Sequence, residues 1–184
     1  ETLYNHALKI LESSSNPDPL RTAHALNNLS GLYLSMGEIG KIRPLYERAK
    51  EMLQLAPQKP EIIRHTANIA RLLKLRDEAT ALYQQALAVA DPNKPDFLAS
   101  MLREIAEVQI QYGKYPEAEK TLEQSIAFFE KAPGDSAYID TLIYLADLSV
   151  KMGKCKEAEV YYNKAISLAE TQVGHPTFPQ LLKR

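Results

Sequence analysis

Three groups of residues in this chain have types and spacings that could do chemistry. The histidines His6, His24, His65 and His175 are candidate metal ligands or general bases. None has a cysteine or a carboxylate at ligand spacing, so they predict neither a metal centre nor a cofactor. The pairs Glu117/Glu119 and Glu157/Glu159 look like a general acid and its base. Each follows a Gly-Lys turn, which places it in the first turn of a helix. There a negative charge is favoured by the positive end of the helix dipole. Cys155 is the single cysteine and has no disulfide partner within the chain. It is expected at a helix start with its thiol partly packed, without the second cysteine or activating motif of a redox site. There is no glycine-rich phosphate loop and no Gly-x-Ser-x-Gly elbow. These residues predict no catalytic centre.

The other candidates are amides and guanidiniums: Asn27, Arg64, Asn68, Arg71 and Arg103. An asparagine can both donate to and accept from a peptide backbone, and an arginine can fork onto a carboxylate. They act together only if the fold aligns them. A recurring frame supplies the alignment. Gly113-Lys114-Tyr115-Pro116-Glu117-Ala118 returns as Gly153-Lys154-Cys155-Lys156-Glu157-Ala158. More altered copies begin at Gly37 and at Lys74, where lysine stands in the glycine's place. These hinge positions are 37, 39 and 40 residues apart.

Each hinge joins two helical patterns. Eleven residues before it stand Leu26, Ile63, Leu102 and Leu142; seven before it, Ser30, Ala67, Ala106 and Ala146. Five after it come Ile42, Ala79, Ala118 and Ala158; nine after, Tyr46, Tyr83, Leu122 and Tyr162; twelve after, Ala49, Ala86, Ser125 and Ala165. Two helices approach closely only where facing residues are small, and the bulky Tyr or Leu fills the space between one pair and the next. A single pair cannot bury its apolar face, so stacking supplies the core. The tyrosines are therefore expected in the core.

The predicted elements follow. Residues 1–13 form a half-repeat, with Tyr4 and Ala7 matching Tyr46 and Ala49. Full repeats span 18–56, 58–91, 95–131 and 135–172, and 176–184 starts a further helix or cap, all in one domain. Asp18-Pro19 reads as N-cap plus first-turn proline. The second helix of the first repeat is expected over roughly 39–56. The chain begins at Glu1 rather than Met and is therefore expected to be a piece of something longer.

This pattern of small, aromatic and hinge-glycine residues resembles the tetratricopeptide repeat over nearly the whole chain. The repeats exceed the standard 34 residues. With Ala25-Leu26-Asn27-Asn28-Leu29-Ser30-Gly31-Leu32-Tyr33 and Val173-Gly174-His175-Pro176, they are similar to the lengthened kinesin-light-chain type. The resemblance implies an all-α fold, a right-handed superhelical solenoid of antiparallel helix pairs, with first helices lining the concave side. It also implies an adaptor-like scaffold for protein–protein interaction.

The stripe that would face the groove lies thirteen, ten, six and three residues before each hinge. It reads His24, Asn27, Gly31, Leu34; Glu61, Arg64, Asn68, Arg71; Ser100, Arg103, Glu107, Ile110; and Asp140, Ile143, Asp147, Val150. Its middle is basic and amide-bearing, its end acidic and apolar. Asn27, Arg64, Asn68, Arg71 and Arg103 are the candidate peptide-binding residues, acidic segments included among the ligands. In repeats of this family that bind acidic peptide ends, a basic residue and an Asn one turn apart serve this role, and Arg64 and Asn68 match that pair. The competing reading is a salt-bridged groove, for instance Arg103 with Glu107. Asn28 lies one residue off the stripe and is expected to bond a neighbouring helix.

Composition bounds the rest. The chain is 45% hydrophobic and 24% charged, with a net charge of -1. That is globular and offers no bulk attraction to nucleic acid or a membrane surface. No apolar run reaches the length of a membrane helix, no signal-peptide pattern opens the chain, and the lone cysteine favours a reducing, cytoplasmic setting. The expected function is a non-enzymatic scaffold binding a protein or peptide. The alternative is a structural or sensor module of a larger protein, or self-association through the exposed end repeats.

Overall fold

A computed structural model describes residues 1–14, 18–130 and 136–171. Among these residues the secondary structure is helical, with no strand. The helices are α1 (Thr2–Ser13), α2 (Pro19–Ser35), α3 (Ile42–Leu55), α4 (Pro60–Leu72), α5 (Arg76–Val89), α6 (Pro95–Gln111), α7 (Tyr115–Phe129), α8 (Ser136–Lys151) and α9 (Cys155–Thr171). The all-α expectation holds. The expected start of a further helix at 176–184 lies outside the described residues.

Proline and a capping carboxylate set several helix starts. Pro19, Pro60 and Pro95 each occupy the first position of a helix, where the missing N–H costs no intrahelical bond. Asp18 caps α2 as expected: its Oδ1 accepts from the backbone N–H of Leu20 at 3.0 Å and of Arg21 at 3.2 Å.

The hinges share one geometry. Gly37, Gly113 and Gly153 have φ of 74°, 72° and 76°, and Lys74 has φ of 59°. At each, the hinge N–H bonds the carbonyl three residues back and the next N–H bonds the carbonyl five residues back. These pairs are Gly37 to Leu34 and Glu38 to Tyr33, Lys74 to Arg71 and Leu75 to Ala70, Gly113 to Ile110 and Lys114 to Gln109, and Gly153 to Val150 and Lys154 to Ser149. This paired closure of the helix end requires a left-handed residue at the hinge, which glycine adopts without a Cβ clash. Lys74 adopts the same conformation with its Cβ in place.

The second helix of the first repeat departs from expectation. Residues Ile39–Lys41 form a 3₁₀ turn, and α3 starts at Ile42 instead of near 39. Pro44 explains the shift. It lacks an N–H and its ring crowds the carbonyl four residues back, so it fits only within the first turn of an α-helix.

The chain divides into two compact units, Glu1–Asp91 and Pro92–Arg184. In the first, α1 packs on α2, α2 on α3 and α4, α3 on α4, and α4 on α5. In the second, α6 packs on α7 and α8, α7 on α8, and α8 on α9. The small repeat positions are closed off: Ser30, Ala67, Ala106, Ala146, Ala49, Ala86, Ser125 and Ala165 are all fully buried. Ser125 Oγ at one of these positions bonds the Ala99 carbonyl at 2.8 Å, and Thr66 Oγ1, one residue before Ala67, bonds the Ala49 carbonyl at 3.4 Å, both between helices. The second unit's core gathers Leu122, Phe129, Ile139, Leu142 and Leu145, and Phe129 stacks on Tyr138 with centroids 5.6 Å apart.

Candidate functional site

The surface stripe is laid out by helix periodicity on α2, α4, α6 and α8. In the first unit it brings three of the five candidate residues together. Asn27 on α2 and Asn68 and Arg71 on α4 line one pocket of about 400 Å³. Tyr4 of α1 and Asn28 and Gly31 of α2 complete its wall, beside Leu72. Arg64 lies one turn before Asn68 on α4 and is half-buried, outside that lining. Arg103 belongs to the second unit.

A recurring hydrogen bond fixes the stripe's central position, six residues before the hinge. The hydroxyl of Tyr83, nine residues after the hinge, donates to Asn68 Oδ1. The hydroxyl of Tyr162 donates to Asp147 Oδ1 in the same way. In the third repeat Leu122 has no hydroxyl to give, and the corresponding Glu107 instead accepts from Arg103, Nη1 to Oε1 at 2.7 Å. In the first repeat the position is Gly31, which has no side chain to receive a bond. Tyr46 accordingly donates to Glu78 of the next repeat at 2.6 Å. Burial and the Glu78 carboxylate both raise the pKa of the Tyr46 hydroxyl. Tyr46 and Tyr83 are buried as expected, whereas Tyr162 is half-buried.

These bonds decide what the side chains offer. With its oxygen held by Tyr83, Asn68 presents its NH₂ group. Asn27 carries both a donor and an acceptor, Arg71 carries donors, and no carboxylate lines the pocket. Arg103 is already engaged: besides Glu107, its guanidinium lies over the Tyr144 ring at 5.6 Å from the centroid.

At the start of the stripe, the ring of His24 stands 5.1 Å from that of His65, between α2 and α4. Asn28 Nδ2 meets His24 Nε2 at 3.2 Å along the same helix. Asn28 therefore does not make the inter-helix bond expected of it, because the i, i+4 neighbour on its own helix is within reach. Burial, then the nearby His24 and Arg64 charges, lower the pKa of His65 to about 4. Its Nδ1 is buried without a hydrogen-bond partner.

Two other expectations are corrected. Of the paired acids only Glu117 and Glu157 lie in a first turn. Glu119, further along α7, pairs with Lys154 at 2.6 Å and ties α7 to the hinge before α9, raising the Lys154 pKa. Cys155 opens α9 but is exposed, its thiol not packed as expected. Among the described residues no group of three or more His, Cys, Asp or Glu side chains is placed to hold a metal ion. No helix there is long and apolar enough to cross a membrane.

Tyr4, Asn28 and Gly31 complete the pocket without having been candidates. Tyr4 belongs to a second helix, and the stripe considers only first helices. Gly31 is on the stripe but carries no group to notice. The signal for it was the exchange of a polar residue for glycine at a position where the other repeats carry Asn68, Glu107 and Asp147.

Comparison with known proteins agrees with this architecture. Two tetratricopeptide repeat models match, one over residues 97–171 and one over residues 22–54, between them more than half of the chain. No curated protein matches the chain in sequence. Among solved structures, it is similar to BtubC (BKLC) from P. vanneervenii, with a TM-score of 0.70 at 18% identity, over 94% of this chain and 73% of that one. A thermophilic TPR protein of Thermus thermophilus gives 0.69 at 20% identity, over 100% and 89%. The nearly identical TPR-like repeats of a candidate kinesin light chain from Podosopora anserina give 0.67 at 17% identity, over 89% and 82%.

Proposed function

Because this chain belongs to the tetratricopeptide repeat family, we propose that it is a cytoplasmic, non-enzymatic adaptor that binds an extended, acidic peptide segment along the first helices of its repeats. Tetratricopeptide repeats are protein-interaction scaffolds in general; the ligand class is the new element. In the first unit Asn27, Arg64, Asn68 and Arg71 make the contacts, with Arg103 as a contact on the second unit's own stripe. The observation that carries the reading is the pocket of about 400 Å³ whose polar side chains are three amides, one guanidinium and the phenol of Tyr4. Such a lining donates to peptide carbonyls and carboxylates and repels cations. Arg103 would exchange Glu107 for a ligand carboxylate, a swap of one ion pair for another that adds little affinity. Ordering an extended peptide costs entropy, so the affinity is modest.

The test is fluorescence anisotropy with a labelled pool of Asp- and Glu-rich decapeptides. Arg64→Ala combined with Arg71→Ala is expected to weaken binding roughly tenfold or more, the equivalent of one lost charge-assisted hydrogen bond. No binding, or binding indifferent to both arginines, contradicts the proposal.

The exposed face of α1 favours a second reading, self-association. Leu3 is 86% exposed and Ile10 is 56% exposed, whereas Leu8 is buried. Stacking repeats bury such faces against a neighbour. A concentration-dependent mass in sedimentation that Leu3→Glu plus Ile10→Glu abolishes would support it; a constant monomer mass would remove it.

A further inference from the structure

We propose that His24 and His65 together form a binding site for a transition-metal ion of the zinc or copper class, bridging α2 and α4. The proposal is independent of the peptide reading above. The two histidines are far apart in sequence, which is why their spacing predicts no metal centre. The packing of α2 on α4 brings them into contact. Their ring centroids are 5.1 Å apart and their planes are inclined by 38°. Two imidazole nitrogens, each about 2.0–2.1 Å from one tetrahedral ion, hold their ring centres about 5 Å apart. The rings thus already stand at the separation that a shared ion requires.

Both rings have a nitrogen to give. Asn28 Nδ2 only donates, so His24 Nε2, 3.2 Å away, is the acceptor and bears a lone pair. His65 Nδ1 is buried without a hydrogen-bond partner, an unfavourable state that a coordinated ion relieves. His24 is exposed and His65 half-buried, so an ion enters from solvent and water fills its remaining positions. Two protein ligands, short of the three or four of a resident centre, make the site weak and exchangeable. The Arg64 charge acts on His65 and opposes any cation. Selection therefore follows the affinity of imidazole nitrogen: Zn²⁺ binds, Cu²⁺ binds more tightly, and the oxygen-seeking Mg²⁺ does not. An ion on His24 Nε2 displaces the Asn28 amide, which also lines the neighbouring pocket.

The experiment titrates the whole chain, stripped with a chelator and free of any histidine tag, with Zn²⁺, Cu²⁺ and Mg²⁺ by isothermal titration calorimetry at about pH 7.5, where imidazole is mostly neutral. Wild type is expected to take up one Zn²⁺ per chain, to hold Cu²⁺ more tightly and to ignore Mg²⁺. His24→Ala and His65→Gln are each expected to weaken Zn²⁺ binding at least about tenfold. The joint change of His6→Ala and His175→Ala should leave it unaltered. Because His24 is exposed, His24→Ala keeps the fold and decides the matter even where His65→Gln unfolds. Zn²⁺ at about 100 times its dissociation constant should raise the melting temperature by about 5 °C or more. It should also shift the Asn28 side-chain amide resonance in wild type and not in His24→Ala. Zn²⁺ uptake that survives His24→Ala, uptake lost with His6 and His175, an unmoved Asn28 resonance, an equal response to Mg²⁺, or no uptake at sub-millimolar Zn²⁺ overturns the proposal.

Discussion

The hydroxyl of Tyr83, buried on α5, donates to Oδ1 of Asn68 on α4. A residue of the packed core thereby orients a residue of the surface stripe, across the two helices of one repeat. Tyr83→Phe keeps the ring and removes the bond. It is expected to cost about 1 kcal/mol by chemical denaturation, the typical net worth of such a bond. Because the Asn68 amide is then unanchored, binding of acidic decapeptides should weaken more than in Tyr46→Phe, whose hydroxyl serves Glu78 instead. Equal effects of the two variants on binding would break this link between core and stripe.

Lys74 holds a left-handed conformation that the other hinges assign to glycine. A side chain there costs roughly 1–2 kcal/mol, part of which is returned as the lower entropy of the unfolded chain. Lys74→Gly is expected to stabilise the chain by about 1 kcal/mol in a denaturant titration. Gly113→Ala, at φ of 72°, should destabilise it by a similar amount. Opposite signs are the prediction, and like signs would contradict it.

One repeat position carries opposite size requirements. Ala118 and Ile42 both stand five residues after a hinge and are both fully buried. Where the helices close on an alanine, Ala118→Leu overpacks and is expected to cost about 1–3 kcal/mol. Where they accommodate isoleucine, Ile42→Ala leaves a cavity and is expected to cost about 2–5 kcal/mol. Melting curves of the two variants check both; a stabilising Ile42→Ala would show the first repeat to be strained around its larger residue.

Acid should act on the His24–His65 contact. The folded pKa of His65 lies near 4, below its ordinary 6.5, through burial first and then the His24 and Arg64 charges. The unfolded chain therefore binds the extra proton in this window. The stability that the neutral ring contributes is complete above pH 6.5 and is lost as the pH falls toward 4, by an amount on the order of 1–2 kcal/mol for a half-buried ring. Wild type should lose stability relative to His65→Gln between pH 6.5 and 4.5, measured by urea unfolding. Parallel profiles would mean that the ring gains a proton as readily folded as unfolded.

Much of the fold was readable because packing constraints repeat. Small residues recur where helices touch, and the same paired closure of the helix end returns at Lys74 without its glycine. The late start of α3 was not, since Pro44 acts through the backbone and leaves the apolar pattern intact. The stripe placed Asn27, Asn68 and Arg71 correctly on one surface, since 3.6-residue periodicity alone sets which face they share. The i, i+4 spacing also pointed to the Arg103–Glu107 pair, but it did not reveal that the same guanidinium lies over Tyr144, that Asn28 turns to His24, or that Tyr4 closes the pocket from a different helix. Such choices depend on which partner a side chain reaches in three dimensions, and spacing along one helix does not encode them.

The central claim is that the amide and guanidinium face of the first unit binds an acidic peptide, and the most direct measurement is an NMR titration of the side-chain amide resonances with the Asp- and Glu-rich decapeptide pool. The account predicts that the Asn27 and Asn68 resonances shift and saturate, that added salt weakens the response, and that Arg71→Ala suppresses it. Saturable shifts confined to side-chain amides of the second helices α3 and α5, or no shift at millimolar peptide, would contradict it.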